Sequence, residues 1–300
     1  MERESRMATA KIFRISAKTQ SSTRKMLVCR QARGVGGFQA PGEENMLDRR
    51  ERELRETPLR VVEEVIMTNT EITRHHLTPE VRLRLLTPDC RLYDAPVSYT
   101  SANDDSSLSP KNIESRIFHD PFWSIYWPGG QALTRFVLDH GTELLNERKK
   151  FTSFLDIGSG CGASAIAAKM IGASRVVAND IDKVACVAAK LNAALNNVDI
   201  EVSSENLLEN RVWRNEWSSD VILVGDLLYD EEIAEALIPR LEEASLRNGS
   251  RIYLGDPGRH ALTEALKSRM KLRKTYSLPE NVRKENYGYN TATVWQFNSG

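Results

Sequence analysis

Residues 154–182 read FLDIGSGCGASAIAAKMIGASRVVANDID. The stretch opens on an apolar strand, turns on three glycines, runs through a helix of small residues and closes on a second strand that ends in acid. A short apolar run bounded by glycine and followed by a helical segment describes a β-α-β unit whose strands are buried on both faces. Glycines 158, 160 and 162 admit positive φ and carry no Cβ. A ligand can therefore approach the backbone, while the helix N-terminus offers it unpaired N–H groups. In a dinucleotide fingerprint the spacing is G-x-G-x-x-G and the helix end faces a pyrophosphate. Here the spacing is G-x-G-x-G, and Asp156 stands two residues ahead of the first glycine.

A carboxylate at that place repels a diphosphate and suits a cationic ligand without phosphate. S-adenosylmethionine carries an α-ammonium and a sulfonium, so Asp156 shifts the expected ligand from a nicotinamide dinucleotide to this donor; the rival reading is that Asp156 only caps the turn. Asp180 follows 24 residues later, at the end of the second strand, where a carboxylate accepts hydrogen bonds from both ribose hydroxyls. Asp182 fits better as the N-cap of the helix that starts near Lys183. After the third strand, in SSENLLEN (203–210), Asn206 or Glu205 can reach an adenine amino group, although loops carry both residue types for turn chemistry alone.

Outward from this unit the rhythm is one of strands at 152–157, 174–179, 199–203, 220–225 and 250–255, alternating with helices near 162–171, 183–196, 231–247 and 259–269. Such alternation implies a parallel sheet covered on both faces. The tail differs. KLRKTYSL (271–278) and TATVWQF (291–297) are joined by a polar segment with no room for a crossover helix, so they are expected to pair antiparallel. The expected class is α/β, a seven-stranded Rossmann-like S-adenosylmethionine-dependent methyltransferase fold with a parallel sheet and a C-terminal antiparallel hairpin. Ahead of it, LDRRERELRE (47–56) reads as a solvated linker or frayed helix. LRVVEEVIMTNTEIT from Leu59 has helical apolar spacing, and LTPEVRLRLLTPDC (77–90) reads as a second short helix opened at Thr78-Pro79. YTSANDDSSLSPKN (99–112) is a loop by composition. The expected organisation is thus a leader over 1–50, an N-terminal helical extension over 51–118 and the sheet domain over 119–300.

Strand four ends in VILVGDLLYDEE (221–232), which puts Asp226 and Tyr229 at the carboxyl edge of the sheet, the side on which open α/β folds bind ligands. Methyl transfer is an in-line displacement at a sulfonium. It requires a neutral nucleophile held about 3 Å from the methyl carbon, with water excluded. A lysine is normally protonated; Asp226 can capture and orient its ammonium, Tyr229 can add a hydrogen bond and a ring face, and the proton can leave to water. The alternative is that Asp226 caps the following helix and Tyr229 packs beneath it. An Asn-Pro-Pro-Tyr element, suited to amide or adenine-amino acceptors, is absent. In DPFWSIYWPGGQAL (120–133) the aromatics Trp123, Tyr126 and Trp127 either roof the cofactor pocket or serve as packing anchors. His75 and His76 are adjacent and read as surface residues.

The charge balance is even, with 41 Lys+Arg and 41 Asp+Glu, so the chain as a whole lacks the electrostatic signature of a nucleic-acid binder. It is uneven locally: residues 5–42 hold eight Lys or Arg, from Arg6 to Arg33, and no acid. With its Ser and Thr this is transit-peptide composition; Glu2 and Glu4 depart from it, and a start at Met7 would remove both. No apolar run approaches the roughly 18 residues of a membrane span. Cys29, Cys90, Cys161 and Cys186 lack metal or disulfide spacing and are expected to be reduced. No metal is expected, and the chain is expected to be a monomer.

DIGSGCGASAIAAKMIGASRVVANDID together with GDLLYDEE resembles the lysine-directed group of seven-β-strand protein methyltransferases, whose mark is an Asp/Glu-x-x-Tyr element after strand four. GDPGR (255–259), YSLPE (276–280) and TATVWQF extend the likeness over about 60–300. The resemblance implies S-adenosylmethionine-dependent N-methylation, with trimethylation, of lysines of a mitochondrial-matrix partner, the electron transfer flavoprotein β-subunit, beside the loop that docks its dehydrogenases. By motif match Asp156, Gly158, Gly160 and Asp180 hold the cofactor, Trp127 borders it, and Asp226 and Tyr229 meet the lysine. Three other readings stay open from the sequence: a methyltransferase acting on another protein lysine or a small amine, a nicotinamide-dependent oxidoreductase and a non-catalytic binding module.

Overall fold

The computed structural model describes residue 52 and residues 56–93, 110–145, 151–209, 218–286 and 288–298. The expected leader over 1–50 lies outside them, as does most of 47–56 and 99–109. The described residues divide into two compact units, those up to 69 with those of 91–121, and those of 70–90 with those from 122 onward.

In the first unit, helix α1 (Leu59–Asn69) buries Val62 and Ile66, four residues apart on one face, as its apolar spacing predicts. Helix α2 (Pro110–Ile117) starts inside the segment read as a loop and buries Ile113 and Ile117. Glu114 of α2 accepts from Asn69 (3.1 Å) and pairs with Arg91, which also donates to Asn69 (2.9 Å).

The second unit begins with a hairpin, β1 (Glu71–Thr73) against β2 (Leu83–Leu85), antiparallel with Glu71 opposite Leu85. The helix expected over 77–90 is therefore absent. The decisive pattern is period two: Val81, Leu83 and Leu85 are buried while Arg82 and Arg84 stay half-exposed. Helix α3 (Pro128–Asp139) and a short turn of helix, α4 (Gly141–Leu144), follow. Then come β3 (Ser153–Ile157), α5 (Ala163–Met170), β4 (Arg175–Asn179), α6 (Lys183–Leu195), β5 (Glu201–Ser203), β6 (Val221–Gly225), α7 (Glu231–Asn248) and β7 (Arg251–Asp256). The chain closes with α8 (Glu264–Lys267), β8 (Met270–Ser277), α9 (Glu280–Glu285) and β9 (Thr291–Phe297). The outer edge of β2 is satisfied by α6. Asn192 accepts from the Arg84 amide (2.7 Å) and Asn196 from the Arg82 amide (2.8 Å), so the strand does not present free backbone donors.

The seven strands lie in the order β5-β4-β3-β6-β7-β9-β8. The first five are parallel, and β9 enters antiparallel between β7 and β8. This is the expected sheet, each strand within two residues of its predicted bounds. Two details differ. The helix expected over 259–269 is reduced to Glu264–Lys267, and the polar connection before β9 carries the short α9 without changing the antiparallel pairing.

Alternate residues of the central strands feed two cores. Phe154, Val176, Val221, Leu223 and Tyr253 pack with Phe136 and Leu133 of α3 and Ile166 of α5 on one face. Leu155, Val177, Ile222, Val224 and Leu254 pack with Leu237, Ile238 and Leu241 of α7 on the other. Burying both faces explains why these strands are continuous apolar runs. Among the described residues no helix is long and apolar enough to cross a membrane.

His76 is not a surface residue. It is 7% exposed, its ring lies edge-on to Tyr126 at 5.1 Å, and burial pushes its pKa down to about 4. Its Nδ1 accepts from the Thr78 amide, and the Thr78 hydroxyl also bonds Tyr126, so Tyr126 anchors the hairpin to the core.

Candidate active site

The glycine turn joins β3 to α5. Gly158 and Gly160 sit at φ +64° and +51°, a left-handed conformation that side chains rarely tolerate. At Gly158 a Cβ would also fall 2.7 Å from the Leu227 side chain. The turn is fastened to the end of β4: the Ser159 amide donates to the Asn179 carbonyl (3.0 Å) and the Gly160 amide to Asp180 Oδ2 (2.9 Å). Asp180 Oδ1 accepts from the Asp182 amide (3.0 Å), and Asp182 caps α6 by accepting from Val184 (2.8 Å). Asp182 is thus the helix cap expected from the sequence, while Asp180, expected at a ribose, holds the Gly160 amide.

Asp156 is buried in β3, and its Oδ2 accepts from the Ala165 amide in the first turn of α5 (3.1 Å). The capping role weighed from the sequence is thus present in the structure. Burial raises the Asp156 carboxyl to about 7, with the charge of Asp180 adding to it, and burial likewise raises Asp180 to about 6. Neither carboxylate has a cationic side chain beside it among the described residues, while Ser159 Oγ is buried without a partner. Two desolvated acids and an unmatched hydroxyl around a bare glycine turn fit a ligand that brings positive charge and hydroxyl donors. On the far side of β4, Asn206 is half-buried and its Oδ1 accepts from Leu208 (3.0 Å), an Asx turn. Glu205 is exposed, and its carbonyl accepts from Asn179 Nδ2 (2.9 Å).

At the end of β6, Asp226 adopts φ +60° and is 5% exposed. Its Oδ2 accepts from the Gly129 amide and its Oδ1 from Arg259 Nε, both at 2.5 Å. The helix it caps is not the one that follows, whose N-cap is Asp230, but α3, at the second residue of its first turn. The negative group is well placed against that helix dipole. The contact exists because PGG leaves room for it. A Cβ on Gly129 would lie 2.3 Å from the Gly255 carbonyl oxygen, and one on Gly255 would lie 2.2 Å from the Gly129 carbonyl oxygen. Three glycines, 129, 225 and 255, thus let the start of α3 rest directly on the ends of β6 and β7.

Tyr229 stacks on Phe122 (6.4 Å between centroids), and Phe122 meets Trp127 (6.1 Å), whose Nε1 donates to the Phe122 carbonyl (3.0 Å). Burial, with Asp180 and Asp230 adding to it, pushes the Tyr229 phenol above its usual value and keeps it a neutral donor. The Arg259 guanidinium lies over the Trp127 ring (5.5 Å) and over the Tyr289 ring (5.7 Å). Its backbone is set by Asp256, whose Oδ1 accepts from the Gly258 and Arg259 amides at 2.6 and 2.7 Å. The sequence reading missed Arg259 and Phe122 as parts of the site. Their signals were GDPGR, a strand end followed by a turn that returns an arginine, and the aromatic run before PGG.

A sheet of five parallel strands closed by an antiparallel pair, carrying a glycine turn, an acid at the end of the second strand of the β-α-β unit and Asp-x-x-Tyr at the end of β6, defines a methyltransferase of the seven-β-strand class. The model of the ribosomal protein L11 methyltransferase (PrmA) family matches residues 131–255. The electron transfer flavoprotein beta subunit lysine methyltransferase of Danio rerio is 41% identical over 241 residues, covering 79% of this chain and 83% of the relative. That of Homo sapiens is 40% identical over 232 residues, covering 76% and 79%, and the Caenorhabditis elegans homolog is 35% identical over 254 residues, covering 77% and 93%. The chain belongs to the family of the electron transfer flavoprotein beta subunit lysine methyltransferases.

Proposed function

We propose that this protein transfers methyl groups from S-adenosylmethionine to lysine side chains of the electron transfer flavoprotein β-subunit. The observation that carries the reading is the placement of Asp226 and Tyr229, walled by Phe122 and Trp127, at the same sheet edge as the glycine turn and its two uncompensated carboxylates. The donor would lie along the turn, with Asp180 accepting from its ribose hydroxyls, Asp156 supplying negative potential toward its amino-acid end, Asn206 near its base and Trp127 at its border. When bound it supplies the methyl group, whose bond to sulfur breaks, with the electron pair staying on sulfur, as the lysine nitrogen bonds to the carbon. The chain's own contribution is orientation and dryness. The aromatic wall excludes water, and the Tyr229 hydroxyl oxygen and the lone-pair sites of Asp226 left by Gly129 and Arg259 accept the N–H groups that the amine carries, which leaves its lone pair free for the methyl carbon. The proton released goes to water, and three successive transfers give trimethyllysine.

The deciding experiment is mass spectrometry of purified flavoprotein after incubation with this protein and the donor. Mass gains on the β-subunit that vanish in Asp226→Ala support the reading; an unmodified subunit refutes it. NADH, rather than the donor, raising the melting temperature would refute the cofactor assignment. We also propose that the basic segment over residues 5–42 directs the protein to the mitochondrial matrix. A fusion of residues 1–50 to a fluorescent protein that stays cytosolic would refute that.

A further inference from the structure

Resting on the lysine site just assigned, the geometry points to a task for Arg259. We propose that Arg259 is a positioning residue: its guanidinium, held against the Trp127 and Tyr289 rings, fixes the Asp226 carboxylate and cancels its charge, so the incoming lysine meets a neutral polar wall rather than a counter-ion.

The difficulty it solves is inherent in the chemistry. A methyl acceptor must arrive as a neutral amine, because an ammonium has no lone pair. A bare carboxylate within about 4–6 Å of a lysine stabilises the ammonium and raises its pKa by about 1–3 units, which removes the nucleophile. A polar wall is nonetheless needed to aim the nitrogen. An acid already paired to an arginine supplies acceptor lone pairs without net charge. The structure builds this arrangement with care. Asp226 is reached by Arg259 Nε at 2.5 Å, with side-chain exposures of 3% and 14%, so water does little to screen the pair. The arginine is itself located by the Asp256 turn and by two rings. That the ring contact uses Trp127, which also meets Phe122, ties the charge of Asp226 to the wall on which Tyr229 stacks.

Among the described residues, the charged and titratable groups around Arg259 are few. Asp226 comes from the end of β6, Asp256 from the end of β7 and Tyr289 from the connection before β9; Tyr229 faces it in turn, with Asp180 and Asp230 beyond. Asp256 carries one buried oxygen without a partner, and its carboxyl is raised to about 6 by burial and by the charge of Asp226. Without the guanidinium two carboxylates would face one another at the site, and both would attract the lysine ammonium.

The test is the pH dependence of kcat for the purified protein acting on purified flavoprotein with saturating donor, together with calorimetric binding of the flavoprotein without donor. In Arg259→Gln the rising limb of the profile moves to higher pH by about one unit, a roughly tenfold loss of kcat at neutral pH, while flavoprotein binding holds or tightens. Asp226→Asn leaves the arginine unopposed, so its limb moves to lower pH and binding weakens. The double variant Arg259→Gln/Asp226→Asn returns toward the wild-type limb, because the pair at these two positions again carries no net charge. A limb that does not move in Arg259→Gln, or moves in the same direction in both single variants, overturns the proposal. Should Arg259→Gln fail to fold, Arg259→Met, which keeps an apolar stem between the two rings and loses the charge, takes its place, with the same expected shift and the same refuting result. Absence of methyl transfer by the wild-type protein would instead overturn the lysine-site reading, and this inference with it.

Discussion

The glycine seam under α3 gives a prediction whose size follows from the coordinates. In Gly129→Ala the new Cβ would sit 2.3 Å from the Gly255 carbonyl oxygen and 2.9 Å from Asp226 Oδ2, where ordinary contact begins at 3.4 Å. The obstructing atoms include backbone, so the first turn of α3 must retreat by about 1 Å. Overpacking of this kind costs about 1–3 kcal/mol. The same retreat stretches the 2.5 Å bond from the Gly129 amide to Asp226 to the limit of a hydrogen bond, and losing a bond to a charged group costs about 1.5–3 kcal/mol. Together that is about 3–5 kcal/mol, or a fall of about 10 °C in Tm for a domain of this size. Displacement of Asp226 by about 1 Å should also lower kcat by about 100-fold. Differential scanning calorimetry and initial methyl-transfer rates read the two effects. Gly130→Ala is the matched control: its Cβ would meet only Tyr126 at 3.7 Å, and alanine is the better helix former, so its Tm should hold or rise. Equal behaviour of the two variants would refute the seam.

Asp180→Asn removes the charged acceptor proposed for the ribose and should weaken donor binding by about 10- to 100-fold in calorimetry. In the wild type, donor affinity should fall as pH drops from about 7 to about 5, since Asp156 (about 7) and then Asp180 (about 6) take up protons. Because the Asp156 carboxyl binds its proton more tightly folded than unfolded, this residue penalises the ligand-free protein as pH rises through about 7. Asp156→Asn should therefore raise Tm by a few degrees at pH 8 and by less at pH 5.5, while weakening donor binding. Tyr229→Phe keeps the ring on Phe122 and loses the hydroxyl; kcat/KM should drop by about 5- to 30-fold with donor affinity unchanged. Asp230→Ala removes the cap of α7, which accepts from Glu232 and Ile233, at about 1 kcal/mol, a Tm loss of about 2–4 °C.

The sheet was legible because its strands are buried on both faces. Runs such as FLDI and VILVG have no polar side to confuse their period, and glycine or acid marks each carboxyl end. The hairpin at 71–85 was misread because Thr78-Pro79 resembles a helix start and VRLRL is short. Its alternation becomes decisive only once α6 supplies Asn192 and Asn196 to hold its edge, a contact more than a hundred residues away in the chain. His76 was misread for a similar reason: what buries it is the ring of Tyr126, from another segment of the chain. At the site, acids at strand ends could be named from spacing alone. What each acid bonds could not, because the partners of Asp226, Gly129 and Arg259, come from segments 97 residues before and 33 residues after it.

The left-handed backbone at Asp226 also limits what evolution or an engineer can try there. Glycine, asparagine and aspartate occupy this conformation readily, whereas β-branched or bulky residues are outliers in it. A lineage drifting toward a different acceptor thus has a narrow alphabet at the residue proposed to meet the nucleophile. Novelty is easier to reach through the neighbours that press on that carboxylate than through the carboxylate itself.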